Sequence, residues 1–212
     1  HHSVHFKRIK PYFFFFFMKQ IHFTIFLLLI SFVAFSQQNP VILGAEQTKA
    51  YLPILKNKRV ALFSNHTGMV GSKHTLDILL ENKINVVAIF SPEHGFRGNA
   101  DAGEHVSSSV DEKTGVPILS LYDGNLGRPS ETNMRKFDIL VVDIQDVGLR
   151  FYTYYASMVR LMDACAEYNR KMLILDRPNP NGFYVDGPIL DMKYKSGVGW
   201  LPIPVVHGMT LG

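Results

Sequence analysis

Short, unbroken apolar runs recur along this chain at 59–64, 85–90, 117–121, 138–143 and 171–175, with helical patterns beside them at 45–56, 74–83, 130–137 and 151–169. This alternation is the strongest constraint on the fold. Runs such as NVVAIF and ILVVD do not alternate apolar with polar residues, so neither face of such a strand is built to meet water. Strands buried on both faces belong to parallel sheets packed between helices. The expected class is therefore α/β, a Rossmann-like, mostly parallel sheet with helices on both faces. In the longest helical stretch Phe151, Tyr155, Met158, Met162 and Cys165 repeat at spacings of three and four and are expected to face the sheet. Cys165 is the only cysteine, and its place on that stripe reads as a buried, inert thiol rather than a nucleophile.

The amino-terminal segment reads differently. Met18 opens MKQIHFTIFLLLISFVAFS, with Lys19 as a positive start, an apolar stretch over 21–33 and Ala34-Phe35-Ser36 as a small-x-small cleavage site. That is the pattern of a secretory signal peptide over 18–36, and it implies a protein exported to the periplasm or the extracellular space. Its apolar stretch falls short of the roughly 18–20 residues a membrane span needs, so no stable span is expected. Residues 1–17, with phenylalanine unbroken from Phe13 to Phe17, read as upstream extension. Leader and extension together hold four of the 22 basic residues and none of the 18 acids, which leaves a balanced 37–212 as one domain. No basic stripe remains to neutralise phosphates, and no nucleic-acid partner is expected.

In an open parallel sheet the ligand crevice lies beyond the carboxyl ends of the strands. The first run here ends in Ser64-Asn65-His66-Thr67-Gly68, the second in Ser91-Pro92-Glu93-His94-Gly95 and the third in Tyr122-Asp123-Gly124. The next two end in Asp143-Ile144-Gln145-Asp146 and Asp176-Arg177-Pro178-Asn179-Pro180, and a final extended run over 201–206 ends in His207-Gly208. Solubility requires charges scattered over a surface, not sorted to one edge. Taken singly, Asn65, Thr67 and Ser91 read as turn or cap residues as readily as ligand contacts. Asp138 opens its strand and reads as structural, Glu131 complements a helix dipole, and His74, Glu81 and Glu167 read as solvated helix positions.

No GxGxxG or GxxxxGK[ST] occurs, so neither a dinucleotide nor a nucleoside triphosphate is indicated and no cofactor is expected. There is no GxSxG elbow. His66, His94, His105 and His207 lie near acids, but without HExxH or comparably spaced ligands, and no metal is expected. Carboxylates are then the leading chemistry. Glycoside hydrolysis uses one acid to protonate the leaving oxygen and a second group as base or nucleophile. Glu93, set between Pro92 and an apolar strand that would desolvate it, suits the acid. Asp143, Asp146 and Asp176 compete for the second role. Arg97, Arg150 and Arg177 carry forks suited to a carboxylate, each with an ion pair to a neighbouring Asp as the competing reading. Tyr122, Tyr152 and Tyr154 offer rings for stacking on a sugar.

Several stretches together, NHTG (65–68), FSPEHGFRGNADAGE (90–104), SSVDEKTGVPILSLY (108–122), DILVVDIQDVGLRFYTY (138–154), LDRPNPNG (175–182) and PIPVVHGMTLG (202–212), resemble the exo-β-N-acetylmuramidases of the NamZ type, a family long described as a domain of unknown function. The resemblance implies a Rossmann-like domain joined to a smaller carboxyl-terminal subdomain, with the active site between them. It implies hydrolytic release of N-acetylmuramic acid from the non-reducing end of peptidoglycan fragments, with muramyl glycans as partners. It favours Glu93 as the catalytic residue, while Asp143 and Asp176, like Asp146, stay candidates for the second catalytic role from their place at the strand ends. Asn65, His66, His94, Arg97, Asp101, Gln145, Asp146, Arg150, Tyr152, Arg177, Asn179 and His207 are then the expected substrate contacts, Arg97 or Arg177 reading the lactyl carboxylate. Family members continue past HGMTLG, so part of the cleft wall is expected to lie outside these residues. Two rivals stand beside this reading: a non-catalytic glycan-binding protein, indifferent to Glu93→Gln, and a metal-dependent envelope amidase or deacetylase, sensitive to chelators.

Overall fold

The computed structural model describes residues 18–26, 41–92, 96–97, 109–119, 121 and 128–212. The chain divides into two compact units, 1–41 and Ile42–Gly212. In the first, 18–26 form a helix with exposed side chains. Among the described residues no helix is long and apolar enough to cross a membrane.

The second unit begins with a 3-10 turn, Gly44–Glu46, and α1 (Thr48–Leu55), so the helical pattern over 45–56 is broken at Gln47. There follow β1 (Arg59–Ser64), the small hairpin β2 (Met69–Val70) and β3 (Lys73–His74), α2 (Thr75–Glu81), β4 (Asn85–Phe90), β5 (Ser109–Val110) and β6 (Pro117–Leu119). The chain continues through α3 (Glu131–Met134), β7 (Ile139–Asp143), α4 (Tyr154–Glu167), β8 (Lys171–Ile174) and a second 3-10 turn, Met192–Tyr194. The main sheet has the order β5-β6-β4-β1-β7-β8. All neighbours are parallel except the short edge strand β5, which runs antiparallel to β6 and was not legible as a strand in the sequence. The parallel strands, read across the sheet, run third-second-first-fourth-fifth, the doubly wound order, and the order reverses between β1 and β7.

Alternation within the strands assigns the core to two faces. Val60 and Leu62 of β1 and Ile139 and Val141 of β7 pack with Tyr51, Leu55, Leu76 and Leu79 from α1 and α2. Ala61, Phe63, Leu140 and Val142 point the other way, against Met134 of α3 and Tyr154, Met158, Leu161 and Cys165 of α4. With every residue of β7 buried, the apolar runs behave as the sequence predicts for central parallel strands.

Two expectations need correction. The buried stripe of α4 is rotated from the one read in the sequence: Phe151 precedes the helix and is 57 % exposed, and Met162 is 42 % exposed, whereas Leu161 and Ala164 are buried. The run over 201–206 is not a strand of the sheet. Val206 instead makes isolated antiparallel bridges with Leu149 and Asp186.

Candidate active site

The parallel register sets Ser64 opposite Asp143, so the polar ends of β1 and β7 lie side by side at the reversal point where open α/β sheets bind ligands. Asn65 forms an Asx turn, its Oδ1 accepting from Thr67 N at 2.9 Å and Thr67 Oγ1 at 2.6 Å. Thr67 Oγ1 then accepts from Gln145 N at 3.0 Å and ties the two strand ends together. Gln145 Nε2 donates to Asp146 O at 2.6 Å and Pro178 O at 2.8 Å, which joins the segment after β8 to the same floor. Gly68 fits here because a Cβ would lie 2.2 Å from Ser64 Oγ and 3.1 Å from His74 Nε2.

His74 is not the solvated helix residue the sequence suggested. It is 3 % exposed, caps α2 by accepting from Leu76 N at Nδ1 (3.1 Å), and donates from Nε2 to Asn65 O at 2.8 Å. Burial lowers its pKa, which keeps the neutral, Nε2-protonated form that these two bonds require.

Asp143 and Arg177 form a buried bidentate ion pair. Arg177 Nε donates to Asp143 Oδ1 at 2.6 Å and Nη2 to Oδ2 at 3.1 Å; Thr75 Oγ1 donates to Oδ2 at 2.5 Å, and Arg177 Nη2 also reaches Met69 O at 2.9 Å. Asp143 is wholly buried, with both oxygens engaged by protein donors. Asp176 is similarly engaged: Oδ1 accepts from Arg177 N and Gly212 N, both at 3.0 Å, and Oδ2 from Thr210 Oγ1 at 2.6 Å. Both acids, expected as candidates for catalysis, have each carboxylate oxygen engaged by at least one protein donor and so hold strand ends and loops in place.

The arginines are engaged within the chain as well. The Arg97 fork closes on Asp111, with Nε to Oδ1 and Nη2 to Oδ2 both at 2.9 Å, and the Arg177 fork closes on Asp143. In each arginine Nε and Nη2 are thereby paired with an aspartate of the chain. Arg150 Nη1 donates to Pro188 O and Ile203 O, each at 2.7 Å, and holds two loops together. Asn179 accepts from Asn181 N at 2.8 Å and donates to Met209 O at 2.9 Å. Its amide lies over Gly148, where φ is +74° and a Cβ would lie 2.3 Å from Asn179 Nδ2.

Asp146 and His207 differ from these. Asp146 Oδ1 accepts from Gly148 N at 2.8 Å, and His207 Nε2 stands 3.9 Å from that oxygen. Asp146 is 6 % and His207 7 % exposed, and neither Asp146 Oδ2 nor His207 Nε2 has a hydrogen-bond partner. Burial pushes the Asp146 carboxyl above its ordinary range, against the opposing pull of the Gly148 N–H, of His207 and of the backbone N–H groups of Val147 and Tyr155. Met209 N donates to His207 Nδ1 at 3.3 Å, which places the proton of a neutral ring on Nε2. The pair exists because the 201–206 run bridges to Leu149: Arg150 N donates to Val205 O at 2.8 Å and His207 N to Gly148 O at 3.1 Å.

Glu93, His94, Asp101 and Tyr122 lie outside the described residues. Ser91, just before Glu93, is 5 % exposed, and Phe96, three residues after it, is 2 % exposed with its ring 4.8 Å from that of His74. His66 is exposed beside the Asx turn. Tyr152 packs edge-on against Tyr154 at 4.6 Å, and Tyr154 is buried in the core, so its ring is closed to a sugar. Thr75 and His74, which brace Asp143 and Asn65, were missed as site residues; their one legible signal is a pair of polar side chains at the start of a helical pattern.

The 60–212 segment matches the model of a family described as exo-β-N-acetylmuramidase NamZ, N-terminal. The chain is 50 % identical over 165 residues to the peptidoglycan β-N-acetylmuramidase NamZ of Bacillus subtilis (strain 168), covering 76 % of this chain and 40 % of that protein. It also resembles two crystal structures of DUF1343 family proteins from Bacteroides fragilis. One is 78 % identical with a TM-score of 0.73, covering 82 % of this chain and 45 % of that one. The other is 38 % identical with a TM-score of 0.72, covering 81 % and 44 %. The chain thus spans less than half the length of the relatives it matches. With matched fold, motifs and sequence, the chain belongs to the NamZ exo-β-N-acetylmuramidase family, of which it carries the amino-terminal region.

Proposed function

We propose that the protein is an exported glycoside hydrolase that releases N-acetylmuramic acid from the non-reducing end of peptidoglycan fragments in cell-wall turnover. The observation that carries this reading is the 50 % identity to the Bacillus subtilis β-N-acetylmuramidase over 165 residues, beside a family match over 60–212 that spans the strand ends described above. The leader pattern over 18–36 supports export, since peptidoglycan lies outside the cytoplasmic membrane.

In this reading Glu93, which in the sequence follows an apolar strand and Pro92, is the general acid that donates a proton to the leaving glycosidic oxygen. The floor formed by Asn65, Thr67, Gln145 and the Asp143–Arg177 pair holds the sugar-facing groups in one geometry, so little reorganisation accompanies reaction. The test is hydrolysis of a chromogenic N-acetylmuramic acid glycoside by the wild type and by Glu93→Gln. A loss of at least about a hundredfold in kcat with KM retained is expected. Unchanged turnover in the variant would remove Glu93 from the chemistry, and activity abolished by a chelator would favour the metal-dependent rival.

A further inference from the structure

The His74 ring joins three separate pieces of the chain around the site. Nδ1 accepts from Leu76 N at 3.1 Å and caps α2, Nε2 donates to Asn65 O at 2.8 Å in the turn after β1, and the ring meets Phe96 edge-on at 4.8 Å. All three residues are buried, and a Cβ on Gly68 would stand 3.1 Å from His74 Nε2. Thr75 repeats the attachment, its N donating to Gly68 O at 2.8 Å. Phe96 is fixed from another side, since the Arg97 guanidinium lies 4.9 Å from its ring centroid and forks onto Asp111. A peptide spans at most about 3.6 Å per residue, so Glu93, three residues before Phe96 in the sequence, stays within roughly 11 Å of it, Cα to Cα.

We propose that His74 is a positioning residue for hydrolysis, whose neutral ring clasps the Asn65–Gly68 turn to the Phe96 anchor and so sets the site floor in a fixed relation to the segment that carries the general acid. The inference rests on the reading of Glu93 as that acid. Only imidazole offers an acceptor on one edge, a donor on the other and a ring for an aromatic neighbour. The clasp also admits one protonation state. A second proton would go to Nδ1, which then has no lone pair for Leu76 N and sets two N–H groups against each other. Burial is the largest influence against that proton, with Arg97 beside it, while the bond to Asn65 O, Asp143 and Asp77 act the other way. Asp143 is already matched by Arg177 and Asp77 by Lys113, so burial prevails. The clasp therefore holds above the ordinary histidine range and is lost as pH falls through the lowered folded-state value.

The variant His74→Asn separates positioning from support of the helix. Asparagine is a good N-cap, so α2 keeps an acceptor for Leu76 N, but the shorter side chain has no ring for Phe96 and does not reach Asn65 O. Full-length wild type and variant are compared on the muramic acid glycoside from about pH 4 to 8, well below the variant's Tm, with the His74 titration followed by NMR. A fall of about tenfold or more in kcat with KM little changed is expected. The part of the wild type's acidic decline in kcat that follows the His74 titration should be missing from the variant. Wild-type kcat in a variant of lowered Tm, or a loss of kcat that leaves the acidic limb where it was, would make His74 a support of the fold alone and overturn the proposal. Should His74→Asn not fold, the wild type decides: an acidic limb that ignores the His74 titration discards the proposal, and one that follows it keeps it. If the wild type hydrolyses no muramic acid glycoside, or Glu93→Gln is fully active, the functional reading fails separately, and hydrogen exchange reads the clasp. Amide protection over 65–68 and 93–97 that His74→Asn removes keeps it; unchanged protection discards it.

Discussion

Replacing Arg177 with methionine tests the load carried by the site floor. The side chain is 6 % exposed and delivers two donors to Asp143, which has no exposed surface at all, and a third to Met69 O. Removing the guanidinium leaves the Asp143 carboxylate in the interior with Thr75 Oγ1 as its remaining side-chain donor. Breaking a buried pair from one side costs about 3–5 kcal/mol, because the surviving charge stays desolvated. For a domain of this size each kcal/mol lowers Tm by about 2–4 °C, so the expected fall is roughly 6–20 °C. Thermal unfolding by circular dichroism reads it directly. The double replacement Asp143→Leu with Arg177→Met should recover part of the loss, since the orphaned charge is then gone, and the coupling follows from the four-member cycle. A single variant that melts within about 2 °C of wild type, or a double variant less stable than both singles together, would refute the claim that this pair is a desolvated brace.

Two further outcomes follow from burial and charge. Cys165 is 2 % exposed and burial pushes its thiol up to about 12, so iodoacetamide at pH 8 should label it only after unfolding; rapid labelling of the native protein would contradict the packing of α4. The Arg59 guanidinium pulls the Asp138 carboxyl down to about 2, and a depressed folded-state value stabilises the fold above the unfolded value near 4 and loses that contribution as pH falls towards 2. Because the pair is about 40 % exposed, Asp138→Asn should cost under about 1 kcal/mol at pH 6, with the gap from wild type closing on acidification and in high salt; a gap indifferent to pH would dismiss the ion pair.

The strands were legible because parallel central strands carry unbroken Val/Ile/Leu runs, a signal that needs no tertiary information. The order of those strands was not, since hydrogen-bonded neighbours leave no mark on local composition. In α4, Met158 and Cys165 belong to the stripe that the sequence suggested and to the buried one alike. Leu161 or Met162 then decides the rotation, and only the sheet selects Leu161. The acids show the same limit more sharply. Asp143, Asp146 and Asp176 are equivalent as sequence, each at or just past a strand end; donors from Thr75, Arg177, Thr210 and Gly212, remote along the chain, engage two of them and leave the third with an open oxygen. His74 was misread for a related reason: its partner, the carbonyl of Asn65, lies in a turn whose path no periodicity describes.

The link from Thr67 Oγ1 to the backbone of Gln145 has one more implication. It rivets the first and fourth parallel strands at the one place where a doubly wound sheet would otherwise splay open. A base set in this way is shaped when the chain folds, so a ligand docking there would freeze few additional torsions and its contacts would translate more fully into affinity.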